Sequence, residues 1–542
     1  MSRENRAPTW RERAKYLINP EWGQAAYEAR RTREKGAQAA GKTEAVRMAT
    51  GYGNHGASTT LNSMLGWMVG GGSAEDDIDL HGALLRKRSR DLYMGGGLAR
   101  SGPATLTTSV VGWGIQPRPR IDGEKLGMSD EACEAWERNA QREFALWAES
   151  RTCDAQRQMD FYEMQQLAFR SMLVSGDCFV LFGMKPNARN PYQLTLRLIE
   201  ADRVSTPDGE AGESESVELE NGGRIVDGVE LDKEGVVVRY HVASRHPLME
   251  DATLEISWTA IEALGGKTGE ANILHIMTHE RPEQRRGVPF VAAQIEQIKQ
   301  LDRYITSELA ANVVASMLAV FLESAEDDGK LGIEDAVNDE EKVTDDELHL
   351  ELAPGAVYNL PPGKRVNAVN PIRANNGFES FVTAMETVIG AGMDMPKEVL
   401  IKKYDSNYTA ARSALLDFWR TVRVHRTRFN SQFNQPIYEA WLAEAVGSGR
   451  IDAPGFFDDA AIRKAWSGCM WTGASMGHVD PLKEVKAAAE RINNNISTQE
   501  QEAAEFNGGD WSEIVRQRRR EAQQLNREDE NNGGKTDDRT SV

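Results

Sequence analysis

Three stretches of the 542-residue chain carry residue types at spacings that could support catalysis. Gly36-Ala-Gln-Ala-Ala-Gly41-Lys42-Thr43 has the GxxxxGK[ST] spacing of a loop whose backbone N–H groups cradle phosphates. That chemistry needs a buried strand running into the loop. Here the lead-in, Tyr27-Glu-Ala-Arg-Arg-Thr-Arg-Glu-Lys35, is a charged helical stretch, and no apolar strand ending in Asp follows at a suitable place. A similar run, Gly265-Gly266-Lys267-Thr268, lacks the upstream glycine because position 261 is Ile. Gly473-Ala-Ser475-Met-Gly477 fits the GxSxG elbow of a nucleophilic serine, which needs Asp and His partners later in the chain. His478 follows almost at once and no histidine comes after it, so the order cannot be completed and the match reads as a turn. His275 and His279 are four apart, but Ile276 stands where a zinc protease needs Glu, and no third ligand is in view. No carboxylate pair can be singled out among 83 acids. The residues therefore predict no catalytic site, no metal site and no cofactor.

The composition narrows the class further. With 40% hydrophobic and 27% charged residues, a sizeable core can be buried, and the length suggests two to four structural units. Cys133, Cys153, Cys178 and Cys469 are far apart, which fits a reducing compartment better than a zinc module or a disulfide scaffold. The longest nearly apolar run, Ala310 to Leu322, is too short to span a bilayer, and the first residues contain no apolar signal core, so a cytoplasmic, non-membrane protein is expected. A net charge of −19 argues against a tight nucleic-acid binder. That charge is uneven. Residues 1–60 hold 11 Lys/Arg against 6 Asp/Glu and read as a basic arm, whereas residues 323–351 hold 13 acids and two lysines.

The elements behind these residues follow from periodicity. Basic Leu84 to Leu92, Asp130 to Ser150 and Tyr162 to Val174 read as helices; Cys178 onward, Leu194 to Ile199, Val229 to Val242 and Asn272 to Met277 read as strands. Pro207 to Gly228 reads as an exposed loop. Residues 60–290 are therefore α+β, and helix dominates afterwards. Apolar residues at Val291, Ile295, Ile298, Leu301, Ile305, Leu309, Val313, Met317 and Val320 predict one helix over Val291 to Leu322. A β-like piece, Ala356 to Val369, leads to a helix at Phe378 to Ile389 and a lysine-bearing loop, Met395 to Asp405. A second long helix, Asn407 to Val446, is expected to kink at Pro436. It carries Arg412, Arg420, Arg423, Arg426 and Arg428 beside an apolar stripe. Leu482 to Gln524 reads as charged helix broken at Gly508-Gly509, followed by a disordered tail.

This order of elements resembles the lambda-type portal family of tailed bacteriophages. The resemblance rests on an ordered set of short motifs across roughly residues 90–520. They are Gly112-Trp-Gly-Ile-Gln-Pro, Ser175-Gly-Asp-Cys-Phe-Val, Leu198-Ile-Glu-Ala-Asp-Arg-Val and Arg286-Gly-Val-Pro-Phe. Further on come Tyr404-Asp-Ser-Asn-Tyr-Thr-Ala-Ala-Arg412, Trp471-Thr-Gly-Ala, Asp480-Pro-Leu-Lys-Glu-Val and Ile496-Ser-Thr. The resemblance implies a helix-rich α+β portal fold that assembles into a ring, usually of twelve copies, at one capsid vertex of the virion after assembly in the host cytoplasm. Double-stranded DNA passes through it without sequence preference. The implied partners are the large terminase subunit, the head–tail adaptors, and the major capsid and scaffold proteins; no catalytic activity or membrane is implied.

Carried onto this chain, the family's parts are a flexible arm (1–60), a wing (61–290), a stem helix (291–322) and a clip (323–374). They continue with a second stem helix (375–394), a tunnel loop (395–406), a long kinked helix (407–446), a wing connection (447–482), a crown (483–526) and a tail (527–542). Lys397, Lys402 and Lys403 would face DNA in the channel, with surface lysines that merely aid solubility as the other open reading. Asp345, Asp346 and Glu347 would face terminase or adaptor from the clip. Arg412, Trp419, Arg423 and Arg426 would lie at the subunit interface. Trp419 and Trp441 suit either a ring seam or an ordinary core. Arg426 falls on the apolar stripe and is expected to pair with a carboxylate, on this chain or on a neighbouring subunit. Two other readings stay open: a packaging NTPase using Gly36 to Thr43, and a monomeric minor capsid protein.

Overall fold

Pairs of caps and glycines set where the helices begin and end, and buried aromatics decide how they pack. The computed structural model describes residues 70–210, 212–249, 255–316, 320–322, 357–359, 377–404, 408–477, 481–507, 509 and 511–533. The basic arm, the loop Gly36 to Thr43, the acidic stretch with Asp345, Asp346 and Glu347, and residues 534–542 lie outside them. The chain divides between Gly72 and Ser73, and everything below concerns the second unit.

Helices α1 (Gly82–Gly95), α2 (Gly97–Val110), α3 (Asp130–Ala148) and α4 (Phe161–Ser175) form the first helical layer. Asp160 caps α4: its carboxylate accepts from the Glu163 N–H while Glu163 accepts from the Asp160 N–H, satisfying two donors that the helix start would leave unpaired. Strand β1 (Gln116–Pro119) lies between α2 and α3. After α4 come β2 (Asp177–Met184), β3 (Leu194–Ile199) and, later, β9 (Ile273–Met277), an antiparallel sheet in the order β3-β2-β9. Between β3 and β9, strands β4 (Ser216–Glu218), β5 (Arg224–Val226), β6 (Val229–Leu231), β7 (Val237–Ala243) and β8 (Trp258–Glu262) form an antiparallel five-stranded sheet in sequence order. The alternation of β2 serves two cores: Cys178 and Val180 face the helices, while Phe179 joins Val204, Val226, Val229 and Tyr240 in a second cluster between the sheets.

The remaining elements are α5 (Ile295–Ser316), β10 (Val320–Leu322), β11 (Val357–Asn359), α6 (Phe378–Gly392), α7 (Lys397–Ile401), α8 (Tyr408–Phe429), α9 (Gln435–Gly447), α10 (Ala460–Trp466), β12 (Cys469–Thr472), α11 (Pro481–Asn493), α12 (Gln499–Asn507) and α13 (Trp511–Gly533). Helices α8 and α9 run on through a π-helical turn, Asn430–Asn434. Pro436 has no N–H and its ring would crowd the carbonyl one turn earlier, so the widened turn just before it relieves the clash. Around this joint, Phe144 meets Trp441 edge-on at 5.0 Å and Phe429 stacks on Phe433 at 4.9 Å. Trp441 is fully buried, so of its two readings the core is the right one.

Four expectations need correction. The helix over Val291 to Leu322 stops at Ser316, and Val320–Leu322 pairs in parallel with Val357–Asn359; a wholly apolar run fits either period. Pro207 to Gly228 is not all loop, since it contributes β4 and β5. Met395 to Asp405 is not a free loop either: it contains α7, and Met395, Val399 and Leu400 are buried in the main core. The C-terminal helix breaks a second time at 494–498, and α13 reaches Gly533, past the expected start of the tail.

One buried side chain ties these layers together. Arg286 is fully buried and spends its whole guanidinium on partners. Its Nε donates to Asp177 Oδ2 at 2.7 Å, Nη2 to Asp177 Oδ1 and Ala201 O, and Nη1 to Val204 O at 2.9 Å, with Asp227 Oδ2 2.7 Å away. Burial alone would raise the Asp177 carboxyl, but the Arg286 charge, with hydrogen bonds from His275 and Arg286, holds it well below the usual range. Burial pushes Asp79 the other way, up to about 6, against the N–H groups of Arg286 and Arg285 that it accepts. Beside the ions, Gly287 and Gly176 touch: a Cβ on Gly287 would sit 2.0 Å from Gly176 O, so neither position has room for a side chain.

Arg286→Leu strands Asp177 as a fully buried carboxylate without its main counter-charge and leaves Asp227 with Arg86 as its remaining buried cation. The expected cost is about 3–5 kcal/mol in urea unfolding, and a loss below about 1 kcal/mol would contradict the account. A second expectation concerns acid. His425 packs edge-on to Phe169 and Phe290, and burial, helped by the Arg428 charge, pulls it down to about 4. An unfolded histidine titrates near ~6.5, so between these values the unfolded chain binds a proton that the folded chain refuses. The stability His425 contributes above that window is lost as pH falls through it. Wild type should therefore lose more stability between pH 7 and pH 5 than His425→Leu does; equal losses in the two proteins would refute this.

Candidate functional site

Of the catalytic matches, Gly473 to Gly477 and the pair His275 and His279 lie among the described residues. Ser475 lies in the loop after β12, where Gly477 takes φ +75° and the neighbouring Ala474 carbonyl is held by Arg426. His275 stacks on Phe179 at 4.2 Å, and its Nε2 is 3.3 Å from Asp177 Oδ2; burial lowers its pKa. It belongs to the Arg286 junction, and His279, beyond the end of β9, does not join it in a ligand set. Among the described residues, Glu200, Asp202 and His246 bring donor atoms within 4.8 Å of one another. Arg90 already contacts both carboxylates, so this cluster is charge-compensated rather than open to a metal ion. Among the described residues no helix is long and apolar enough to cross a membrane.

What the fold does bring together is the set of short motifs. Ser175-Gly-Asp, Leu198 to Val204 and Arg286-Gly meet at the buried junction, through Asp177, the Ala201 and Val204 carbonyls, and Arg286. Gly112 to Pro117 and Trp471 to Ala474 meet where β1 pairs with β12, with Gln116 opposite Thr472. A Cβ on Gly112, which sits at φ +63°, would lie 2.8 Å from the Ala474 methyl. Arg412 reaches Glu484 at 2.8 Å and so joins the motif ending at Arg412 to the one beginning at Asp480.

Arg426 stands at the second of these meetings. Among the described residues it pairs with three backbone carbonyls rather than with a carboxylate: Nε donates to Val110 O at 2.9 Å, and Nη2 to Ser109 O at 2.7 Å and Ala474 O at 2.8 Å. Two of these carbonyls end α2, where a helix leaves its last C=O groups unpaired and its dipole is negative. Burial, together with the charge of nearby Arg423, pushes the guanidinium down to about 10. Trp419, half-buried, lies under it with the ring centroid 5.8 Å from the guanidinium carbon. Gly473 leaves the room, since a Cβ there would come 2.8 Å from Nε. Arg423 is exposed and 3.8 Å from Glu505.

The lysines of the expected tunnel loop divide. Lys397 and Lys403 line a groove of about 840 Å³ between α6 and α7, facing Glu379, Glu386 and Glu398. Lys402 is exposed and ends α7 in the left-handed region at φ +58°. A further surface escapes the sequence reading. The apolar stripe of α5 starts inside, with Ile298 and Leu301 buried, and then leaves the body: Ile305 is 41% exposed, Leu309 63% and Val313 45%. Tyr304 stacks against Phe378 and meets Phe381 edge-on at 4.7 Å, which fixes α6 beside α5 and adds exposed Phe381 and Val388 to the same projecting pair. The periodicity is legible in the residues; that its second half faces outward is not.

Arg426→Lys keeps the charge but offers a point donor where a planar fork serves three acceptors. It should cost about 1–3 kcal/mol, because buried carbonyls lose partners. A lysine variant as stable as wild type in denaturant titration would remove this role.

Comparison with known proteins agrees with the motif pattern. Residues 60–426 match the family model described as phage portal protein, lambda family. Portal protein B of Escherichia phage lambda is 26% identical over 458 residues, covering 80% of this chain and 82% of that protein. The portal protein of Escherichia phage N15 is 25% identical over 505 residues, covering 89% and 91%. A probable portal protein of Halomonas phage phiHAP-1 is 22% identical over 440 residues, covering 79% and 78%. With the family model spanning more than half of its length and its motifs meeting in pairs around Arg286 and Arg426, the chain belongs to the lambda family of phage portal proteins.

Proposed function

We propose that the chain assembles into a ring of twelve copies at one vertex of the capsid and serves there as the conduit for DNA during packaging and ejection. The observation that carries the reading is the projecting pair α5 and α6. Their apolar stripe continues a buried one but faces outward over Ile305, Leu309 and Val313, the arrangement expected of a helix whose partner is the next copy. In this reading α5 and α6 are the stem, residues 323–374 the clip that meets the large terminase subunit and later the head–tail adaptors, and residues 483–526 the crown. Asp345, Asp346 and Glu347 then face those partners, and the major capsid and scaffold proteins surround the wing. Trp419, Arg412 and Arg423 lie close to the seam. The protein supplies no chemistry of its own.

Lys397, Lys402 and Lys403 touch the phosphate backbone transiently in this reading, and the glutamates around Lys397 and Lys403 keep that contact weak. The net charge of −19 fits the same demand. Phosphate contacts accumulate affinity, and a duplex that must slide cannot be held by a basic groove.

Leu309→Asp tests the reading at an exposed position where the fold of one chain has little to lose. Native mass measurement should show the ring replaced by small species while the circular dichroism of the folded protein is unchanged. Rings that persist in the variant, or a wild-type protein that forms none, would overturn it.

A further inference from the structure

Helices α11 and α12 are attached to the body by charge rather than by burial. Helix α11 buries none of its side chains, and Leu482 and Val485 are exposed on it. Between these helices and the body lies a cleft of about 930 Å³ whose lining includes Trp419 and Trp471. Ion pairs bridge it, and they share one polarity. Arg412 of α8 meets Glu484 of α11 at 2.8 Å, Arg423 of α8 meets Glu505 of α12 at 3.8 Å, and Arg120, just after β1, meets Glu500 of α12. Each cation is on the body and each carboxylate on the C-terminal helices. Arg491 binds Glu502 from Nε at 2.7 Å, so α11 and α12 are fastened to each other and can move together.

We propose that this cleft is an anion-responsive clasp: a phosphate-bearing polyanion that takes Arg120, Arg412 and Arg423 from their glutamates releases α11 and α12 from the body. Ion pairs open to solvent at a cleft are individually weak and are screened by salt, and of the three only Arg412–Glu484 is part-buried, so the closed state has little reserve at this seam. A phosphate matches the guanidinium fork as well as a carboxylate does, and a polyanion offers several at once. A ligand that binds the freed arginines binds only the open state, and its binding energy therefore shifts the equilibrium toward opening. The clasp lies within one chain and does not depend on ring formation.

Hydrogen exchange on the full-length protein at low salt reads the clasp directly. Adding short duplex DNA, or inorganic polyphosphate in a second arm, should speed exchange in residues 481–507 by about tenfold, the order expected for losing three ion pairs at a solvent-lined cleft. Exchange in α4 should not change. Release by polyphosphate as well as by DNA assigns the site to phosphate in general, whereas release by DNA alone assigns it to the duplex. Arg412→Glu should speed exchange in the same residues without any polyanion, and Arg412→Glu combined with Glu484→Arg should restore protection. Exchange unaltered by both polyanions, or altered by sodium chloride but by neither polyanion, would overturn the proposal.

Discussion

A fully buried arginine holds this protein's layers in register. Arg286 sits where α4 turns into β2, where the connection after β3 passes, and where the five-stranded sheet begins to fold back. It satisfies a carboxylate or carbonyl from each. Replacing such a group by packed hydrophobes often costs little in principle, but removing one partner alone leaves the other charges buried. That asymmetry makes the junction a constraint on everything around it. The glycine contact between Gly176 and Gly287 sets the approach of the two segments, and Asp177 is held ionised although fully buried. From this fixed point β2 presents one face to the helical core and the other to the sheet, and α5 is launched outward just beyond Pro289.

Much of the architecture is legible in the sequence because it rests on local periodicity. The strand-forming composition of Cys178 to Phe182 and the 3.6-residue stripe of α8 each announce their element. The misses share a physical cause. Val320 to Leu322 is apolar on every side, so helix and strand periods fit it equally, and only its pairing with Val357–Asn359 decides. Residues 216–218 are exposed, with one apolar residue between two polar ones, and become a strand only because β5 lies beside them. Helix α7 hides in a short lysine-bearing segment, and its identity depends on Val399 and Leu400 finding the core.

The functional surfaces are less legible, because their logic is long-range. Arg286 in Arg-Gly-Val-Pro-Phe reads as part of a turn, and its main partner lies 109 residues earlier. Arg426 on an apolar stripe does signal a buried charge, but a sequence has no mark for orphan carbonyls at the end of another helix, so the three carbonyls that it meets within the chain are not legible there. The outward half of the α5 stripe is the reverse case: the pattern is plain, and only the fold shows that the body ends before the stripe does. The charge distribution fits the same picture. The cations on the long helix α8 are largely engaged within the chain, by carbonyls at Arg426 and by glutamates at Arg412 and Arg423. In the proposed role, such engagement suits a surface that DNA touches only transiently.

Assembly is the claim on which the proposed role depends. Single-particle imaging of the purified full-length protein tests it most directly. Closed rings with an axial hole are predicted, in which the projecting α5 and α6 of adjacent copies lie side by side and bury Ile305, Leu309 and Val313. Uniform single chains, or rings in which those three residues still face solvent, would contradict it.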